Sequence, residues 1–229
     1  MSAERADRTQ AARGVYLVTD RAQCGGRGVV ETVRQAVDAG VTTVQLRDKD
    51  ATDAEILACL RELAPVTAGR AVLVVDDRLD AVVAARRERL AVDGVHLGQS
   101  DTSVAVARAA LGPDAVVGLT ADRPEHLEAL AKLPAGTVDY LGVGAIHPTA
   151  TKADAPEALG VAGFADFVAA APLPCVAIGG VKIADVAPLR AAGACGVAVV
   201  SAICAADDAR AAAAELVAEW ESAESAEDA

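Results

Sequence analysis

Short runs of apolar residues recur along the chain, and most precede a segment whose apolar positions repeat with the period of a helix. Eight of these runs have the length of strands, and they occupy residues 15–19, 42–46, 71–75, 92–97, 115–119, 139–143, 174–178 and 196–200. The segments between them predict helices at residues 29–39, 53–63, 79–87, 102–111, from 124 onward, 183–192 and 207–220. This alternation predicts parallel strands joined by crossover helices.

The near-even spacing of the eight units predicts an α/β protein, a closed (β/α)8 TIM barrel in a single domain. An open, doubly wound sheet is the alternative architecture, but no GxGxxG motif follows the first strand. We expect residues 1–14 to form a flexible arm, residues 15–220 the barrel and residues 221–229 an acidic tail.

The composition limits which residue types can form the core and which classes of ligand the protein can bind. Hydrophobic residues make up 53% of the chain and aromatic residues only 2%, so the core must consist mainly of Ala, Val, Leu and Ile. The formal net charge of −12 argues against nonspecific binding to nucleic acid. No apolar run approaches the ~20 residues of a membrane span, and residues 1–14 contain no apolar core of a secretory signal.

The five cysteines, at positions 24, 59, 175, 195 and 204, do not have the spacing of a zinc site. We therefore expect free thiols in a reducing cytoplasm. Nothing in the sequence excludes a homo-oligomer.

In a barrel of this class, the active site lies at the carboxyl ends of the strands. Gln45, Arg47 and Lys49 alternate at the end of the second strand, so their side chains begin on the same side of an extended chain. One amide and two cations suit an anionic ligand that also forms hydrogen bonds. The alternative is an ordinary solvated strand end.

Carboxylates follow the third and fourth strands. Asp76 and Asp77 come directly after one apolar run, and Asp101 follows the next. Two carboxylates on adjacent strand ends can hold Mg²⁺ together with water and phosphate oxygens. The alternatives are that Asp101 caps the helix predicted at 102–111, and that Asp77 forms an ion pair with Arg78.

The residues that follow the sixth, seventh and eighth strands are suited to binding phosphate. Residues 139–152 run from an apolar strand through glycines into a loop with two hydroxyls and an ammonium group, at Thr149, Thr151 and Lys152. Gly179 and Gly180 end the seventh strand, and Val200 and Ser201 end the eighth, where such barrels often bind phosphate. The alternative for the glycines is that they only make tight turns.

The three histidines do not form a Ser-His-Asp or Cys-His pattern. We expect His126 to lie on the surface in the first turn of a helix, His96 to orient a loop, and His147 to approach the site.

The ordered set of strand-end motifs resembles the thiamine phosphate synthase family. The matching segments are 16–20 (YLVTD), 45–49 (QLRDK), 77–78 (DR), 95–101 (VHLGQSD), 117–120 (VGLT), 139–152 (DYLGVGAIHPTATK), 177–180 (AIGG) and 197–203 (VAVVSAI). They span the chain from Val15 to Cys204 in the order of the family.

The resemblance implies that hydroxymethylpyrimidine pyrophosphate is joined to a thiazole phosphate, which gives thiamine phosphate and pyrophosphate. It implies Mg²⁺ on Asp77 and Asp101, and catalytic roles for Arg47, Lys49 and Lys152. The residues it assigns to the pyrimidine pyrophosphate are Gln45, Arg47, Lys49, Asp76, Thr120 and Lys152. Those it assigns to the thiazole phosphate are Thr149, Thr151, Gly180, Val200 and Ser201.

The chain departs from the family pattern at four positions in or beside these motifs. Asp76 replaces the usual Asn, so a hydrogen-bond donor is lost and a charge is added. Thr120 replaces a Ser, His147 replaces a common Phe, and Asp48 replaces a common Glu.

Three other functions remain open at this point. A thiazole tautomerase would use His147 as its acid–base group but would not need the pyrophosphate and metal residues. A non-catalytic barrel that binds a phosphorylated ligand is suggested by Asp76. An unrelated enzyme on a phosphate-binding barrel is the third.

Overall fold

The computed structural model describes residues 11–148 and 158–227, and within these residues eight parallel strands close into a barrel. The strands are β1 (Gly14–Val18), β2 (Thr43–Leu46), β3 (Val72–Asp76), β4 (Gly94–Leu97), β5 (Val116–Thr120), β6 (Tyr140–Val143), β7 (Cys175–Ile178) and β8 (Gly196–Val199). Neighbours in sequence pair in parallel, and β1 closes the barrel against β8. The predicted (β/α)8 barrel is confirmed, and the open sheet is wrong.

Helices connect the strands on the outside of the barrel. Their bounds are α1 (Arg21–Cys24), α2 (Val29–Asp38), α3 (Asp53–Thr67), α4 (Leu79–Arg87), α5 (Val104–Leu111), α6 (Pro124–Leu130), α7 (Gly160–Ala170), α8 (Val186–Ala191), α9 (Ser201–Cys204) and α10 (Ala209–Glu227). Short 3-10 turns precede α2 and α8, at Gly25–Arg27 and Ile183–Asp185. No helix in the described part of the chain is long and apolar enough to cross a membrane.

The ends of several elements differ from those predicted. The helix predicted at 102–111 begins only at Val104, and the helix predicted at 183–192 begins as the 3-10 turn. The last helix continues to Glu227, beyond the boundary expected at residue 220. At the other end, Ala11 and Ala12 are already buried, and the amide of Ala12 donates to Thr43 Oγ1 at 3.2 Å.

Alternation along the strands divides the core into two layers. Outward side chains such as Leu17 and Val44 pack against the helices in an aliphatic layer. Inward side chains fill the barrel, and they include both tyrosines of the chain, Tyr16 and Tyr140, whose ring centroids lie 6.1 Å apart. The barrel interior is therefore partly aromatic, although the chain as a whole is almost free of aromatic residues.

Arg108 on α5 clamps the amino-terminal end of the barrel. Its Nη2 lies 2.6 Å from Asp139 Oδ2, and its Nη1 donates to the carbonyl of Ala115 at 2.6 Å. The same Asp139 oxygen accepts the amide of Val117 at 2.8 Å. The side chains of Arg108 and Asp139 are only 14% and 6% exposed, so water screens this ion pair weakly.

We expect Arg108→Met to lower the free energy of unfolding by about 3 kcal/mol, because it leaves the Asp139 carboxylate buried without its cation. Urea denaturation measures the change. The matched control is Arg61→Met, which breaks a bidentate pair with Glu88 whose side chains are 50% and 40% exposed, and which should lower the free energy of unfolding much less because water screens the pair. Equal losses of unfolding free energy in the two variants would contradict a stabilising role for the buried pair of Arg108 and Asp139.

Candidate active site

A cavity of about 1010 Å³ lies at the carboxyl ends of the strands. The predicted site residues that line it are Gln45, Arg47, Lys49, Asp76, Asp77, Asp101, Thr120, Gly180, Val200 and Ser201. Thr149, Thr151 and Lys152 lie outside the described residues. The two groups of residues identified on opposite halves of the strand ends therefore face one common space.

Strand alternation explains why three of these side chains face inward. Side chains alternate between the two faces of a strand, so a residue an even number of positions after an inward-facing one also faces inward. This holds for Gln45 in β2, Asp76 in β3 and Thr120 in β5. Each is the last inward position of its strand. The pattern thus leads to polar side chains at the mouth above a floor of apolar and aromatic ones.

A cationic corner is built from the end of β2. The amide of Arg47 donates to Thr19 Oγ1 at 3.0 Å, which holds the chain as it leaves the strand. Lys49 Nζ lies 3.1 Å from Asp76 Oδ2 and contacts Asp77 Oδ2, and Arg47 Nε lies 3.5 Å from the same Asp76 oxygen. Asp76 therefore contacts both cations that were expected to bind an anionic ligand.

The charges of this corner are set by burial and by the neighbouring groups. Burial raises the pKa of Asp76, the nearby Asp77 raises it further, and Lys49 opposes both effects. Burial lowers the pKa of Lys49, but the hydrogen bond to Asp77 and the charge of Asp76 outweigh it, so the net shift is upward. Lys49 therefore remains an ammonium ion at neutral pH.

Asp77 and Asp101 form a hydrogen-bonded pair of carboxyl groups. Asp77 has a left-handed backbone with φ of 62°, and its amide donates to the carbonyl of His96 at 2.9 Å. Asp101 Oδ2 accepts the amide of Gly98 at 2.8 Å. Burial raises the pKa of Asp101, and so does Asp77. The pKa of Asp77 is lowered overall, because its hydrogen bonds to Asp101 and Lys49 outweigh the effect of burial.

This pair fits a hard divalent cation. Each of these neighbouring carboxyl groups shifts the pKa of the other, and a bound cation would relieve the repulsion between their negative charges. Mg²⁺ usually takes only one or two protein carboxylates and leaves its other positions to water and phosphate. The described residues contain no group of three or more His, Cys, Asp or Glu side chains arranged for a metal.

The two alternatives for these carboxylates are wrong. Asp101 does not cap a helix, because α5 begins at Val104 with Ser103 at its N-cap. Asp77 does not form the expected ion pair with Arg78. The guanidinium of Arg78 instead donates to the carbonyls of Lys49 and Ala51 and lies 3.6 Å from Asp53.

The opposite side of the cavity consists mainly of backbone. Gly179 and Gly180 have φ values of 93° and 72°, a conformation that other residues rarely adopt. A Cβ on Gly180 would lie 2.9 Å from the Cβ of His147, so the loops after β6 and β7 pack directly on each other here. Val200 immediately precedes the short helix α9. Such exposed backbone is suited to anion binding.

The histidines partly differ from expectation. His147 does not line the main cavity; it borders a neighbouring one of about 890 Å³, and its Nε2 lies 2.9 Å from Asp185 Oδ2. His126 was predicted on the surface, but its side chain is only 20% exposed and lines the main cavity. Its Nδ1 lies 3.1 Å from Asp122 Oδ1.

Sequence reasoning missed several residues of the site. Asp122, Arg123 and His126 follow β5 and line the cavity beside Thr120. Their position just after a strand was the available signal, the same one that identified the other strand ends. His96 was expected only to orient a loop, yet its side chain faces the cavity from β4.

Both the sequence and the fold are similar to those of known proteins. The family model described as thiamine monophosphate synthase matches residues 15–203. A thiamine-phosphate synthase of Psychrobacter sp. is 43% identical over 208 residues, which cover 91% of this chain and 95% of the relative. One from Azorhizobium caulinodans is 45% identical over 195 residues, 85% and 88% of the two chains. A solved thiamine phosphate pyrophosphorylase of Pyrococcus furiosus superposes with a TM-score of 0.80 at 31% identity and covers 94% of this chain and 98% of its own.

Proposed function

Because the chain belongs to the thiamine monophosphate synthase family, we propose that it joins hydroxymethylpyrimidine pyrophosphate to a thiazole phosphate, with release of pyrophosphate. The observation that carries the proposal is the single cavity that joins a cationic, acid-paired side to a backbone side. Two anionic substrates can therefore meet with their phosphate groups held apart.

The reaction exchanges one bond for another. The bond between the pyrimidine methylene carbon and the pyrophosphate oxygen breaks, and both of its electrons leave with pyrophosphate. The lone pair of the thiazole nitrogen then forms the new C–N bond. No proton has to be removed from the nucleophile, which agrees with the absence of a Ser-His-Asp or Cys-His pattern in the sequence.

We assign the pyrophosphate to the cationic side. Arg47 and Lys49 would bind its oxygens and stabilise the negative charge that grows as the bond breaks. Lys152 would add a third cation from the loop after β6, and Gln45 and Thr120 would hold the pyrimidine ring. Asp77 and Asp101 would hold Mg²⁺, which when bound supplies positive charge to the leaving pyrophosphate.

The thiazole phosphate is assigned to the backbone side. Gly180, Val200 and Ser201 would surround the phosphate, together with the hydroxyls of Thr149 and Thr151. Holding the phosphate there would direct the ring nitrogen toward the pyrimidine methylene carbon, and such alignment of two reactants can supply much of the rate enhancement.

The cellular setting is part of the same proposal. All five cysteines are free, and Cys24, Cys175 and Cys204 are buried. Free thiols agree with a reducing compartment, and we therefore propose that the enzyme works in the cytoplasm, with the two small phosphorylated molecules as its partners. A homo-oligomer stays compatible with this proposal.

An omission experiment tests the function. The purified protein is incubated with Mg²⁺ and both substrates, and then with each component left out, while pyrophosphate and thiamine phosphate are measured. We expect both products only when all three components are present. Binding of both substrates without any product would instead support a non-catalytic barrel. Failure to bind the pyrimidine pyrophosphate would make a thiazole tautomerase the function to test.

Asp76 leads to a prediction of its own. We expect Asp76→Asn to bind inorganic pyrophosphate with Mg²⁺ about tenfold more tightly at pH 8, because the substitution removes a negative charge from beside Lys49 and Arg47. Isothermal titration calorimetry measures the dissociation constant. Asp80→Asn, an equal charge change at an exposed position on α4, should alter it less than about twofold. Unchanged or weaker binding in Asp76→Asn would show that Asp76 does not compete with the ligand.

A further inference from the structure

Five polar side chains form a continuous line of hydrogen bonds through the barrel below the cavity. Gln45 Nε2 lies 2.8 Å from Tyr16 Oη, which lies 2.9 Å from Tyr140 Oη. Tyr140 Oη lies 3.0 Å from His96 Nδ1, and His96 Nε2 lies 3.1 Å from Thr120 Oγ1. We call this line the polar relay. It begins and ends at two residues that line the cavity and were assigned to the pyrimidine.

The interior is shaped around the relay. A Cβ on Gly118 would lie 2.3 Å from Tyr140 Cζ and 2.5 Å from His96 Nδ1, so the approach of these two rings requires a glycine there. Tyr16 is 2% exposed, Tyr140 1% and His96 8%. Polar groups buried this deeply cost free energy unless each finds a partner, and an aliphatic interior would have avoided that cost.

Counting protons gives the relay a direction. Gln45 Nε2 donates to Tyr16, whose single proton is then donated to Tyr140. Tyr140 in turn donates to His96 Nδ1, which leaves the imidazole proton on Nε2, where it is donated to Thr120. Burial raises the pKa of both tyrosines, so both hydroxyls keep their protons.

The two ends of the relay therefore offer a ligand different hydrogen-bonding groups. Gln45 Nε2 carries two protons, and donating one of them to Tyr16 fixes the orientation of the amide, so Oε1 is left as an acceptor for the ligand beside the second N–H. With its oxygen accepting from His96, Thr120 has its own hydroxyl proton left to donate. The direction is coupled from end to end, because reversing any one bond requires the opposite tautomer of His96.

We propose that Tyr16, Tyr140 and His96 are positioning residues that fix an acceptor at Gln45 and a donor at Thr120, and that they thereby select a 4-aminopyrimidine over its 4-oxo analogue. The proposal rests on the proposed function, whose pyrimidine substrate carries a 4-amino group, and it adds the residues that enforce the choice of that group. A 4-aminopyrimidine carries an exocyclic N–H donor and ring nitrogen acceptors. In the 4-oxo analogue the exocyclic group is an acceptor, which would face the lone pairs of Gln45 Oε1.

The test compares the binding of two ligands in two variants. Dissociation constants of the 4-amino and 4-oxo pyrimidine pyrophosphates are measured by calorimetry with Mg²⁺ and without thiazole phosphate, so that binding is separated from turnover. We expect the wild type to prefer the 4-amino ligand by about 100-fold or more, and Tyr140→Phe to reduce that preference by about tenfold. Thr67→Val, which removes a buried hydroxyl on α3 outside the relay, should leave the preference unchanged.

A preference that persists in a folded Tyr140→Phe protein would overturn the proposal. A second measurement is made on the wild type, so it does not require any variant of the relay to fold. Nitrogen-15 NMR of labelled histidine in the wild type at pH 8 should show His96 protonated on Nε2, with the three histidine signals assigned from His126→Asn and His147→Asn. The opposite tautomer would also overturn it. A wild type that binds selectively but releases no pyrophosphate would instead contradict the proposed function.

Discussion

Asp101→Ala should reduce Mg²⁺-dependent pyrophosphate release by roughly 1,000-fold at saturating substrates. Asp101 and Asp77 form the carboxyl pair at the mouth, and a single remaining carboxylate would hold Mg²⁺ weakly. The leaving pyrophosphate would then develop its charge with only the side-chain cations to stabilise it. The fold should persist, because Asp101 lies at the rim of the cavity, only partly buried, and its carboxylate accepts a backbone hydrogen bond from the amide of Gly98 within the same loop.

Two measurements separate this loss from other causes. Calorimetry with Mg²⁺ and inorganic pyrophosphate should show weaker binding in Asp101→Ala, and circular dichroism should show an unchanged fold. Asp114→Ala, at an exposed position between α5 and β5, removes an equal charge and should retain full activity. Full activity of Asp101→Ala would contradict the assignment of the metal to this pair.

Gly118→Ala should lower the free energy of unfolding by about 2–3 kcal/mol and raise KM for the pyrimidine substrate. The added methyl group would overlap the Tyr140 ring at 2.3 Å and His96 at 2.5 Å, and neither ring is free to move in the filled barrel. Displacing these rings also disturbs the hydrogen bond that reaches Thr120. Urea denaturation and steady-state kinetics measure the two effects.

The matched control is Gly26→Ala, because a Cβ there meets no heavy atom within 4 Å. Its free energy of unfolding should change by less than ~0.5 kcal/mol. A Gly118→Ala protein as stable as this control would show that the barrel interior can expand around the new methyl group, contrary to the packing described above.

The succession of short apolar runs and helical segments predicted the barrel and much of its mouth. Apolar runs identified the strands, and the polar residues that ended them identified Gln45, Asp76, Asp77 and Asp101 before any contact was known. This succeeded because strand ends in a parallel barrel converge on one face, so position in the chain alone places side chains together.

Contacts between residues distant in sequence could not be predicted in the same way. Asp76 was interpreted as a charge beside a metal, whereas its side chain also contacts Lys49 and Arg47. The line of bonds from Tyr16 to His96 depends on side-chain orientation across the barrel, which the pattern of apolar residues does not encode. His126 was misplaced because a polar residue in a first helical turn is usually solvated, and here that turn borders the cavity.

In the proposed reaction a C–N bond replaces a C–O bond, and the thiazole phosphate stays intact. The most direct test follows an oxygen-18 label in the phosphate of the thiazole substrate by mass spectrometry of both products. We expect the label entirely in thiamine phosphate, and we expect the pyrophosphate, formed in equal amount, to be unlabelled. Label in pyrophosphate would mean phosphoryl transfer from the thiazole substrate, and it would contradict the proposed reaction.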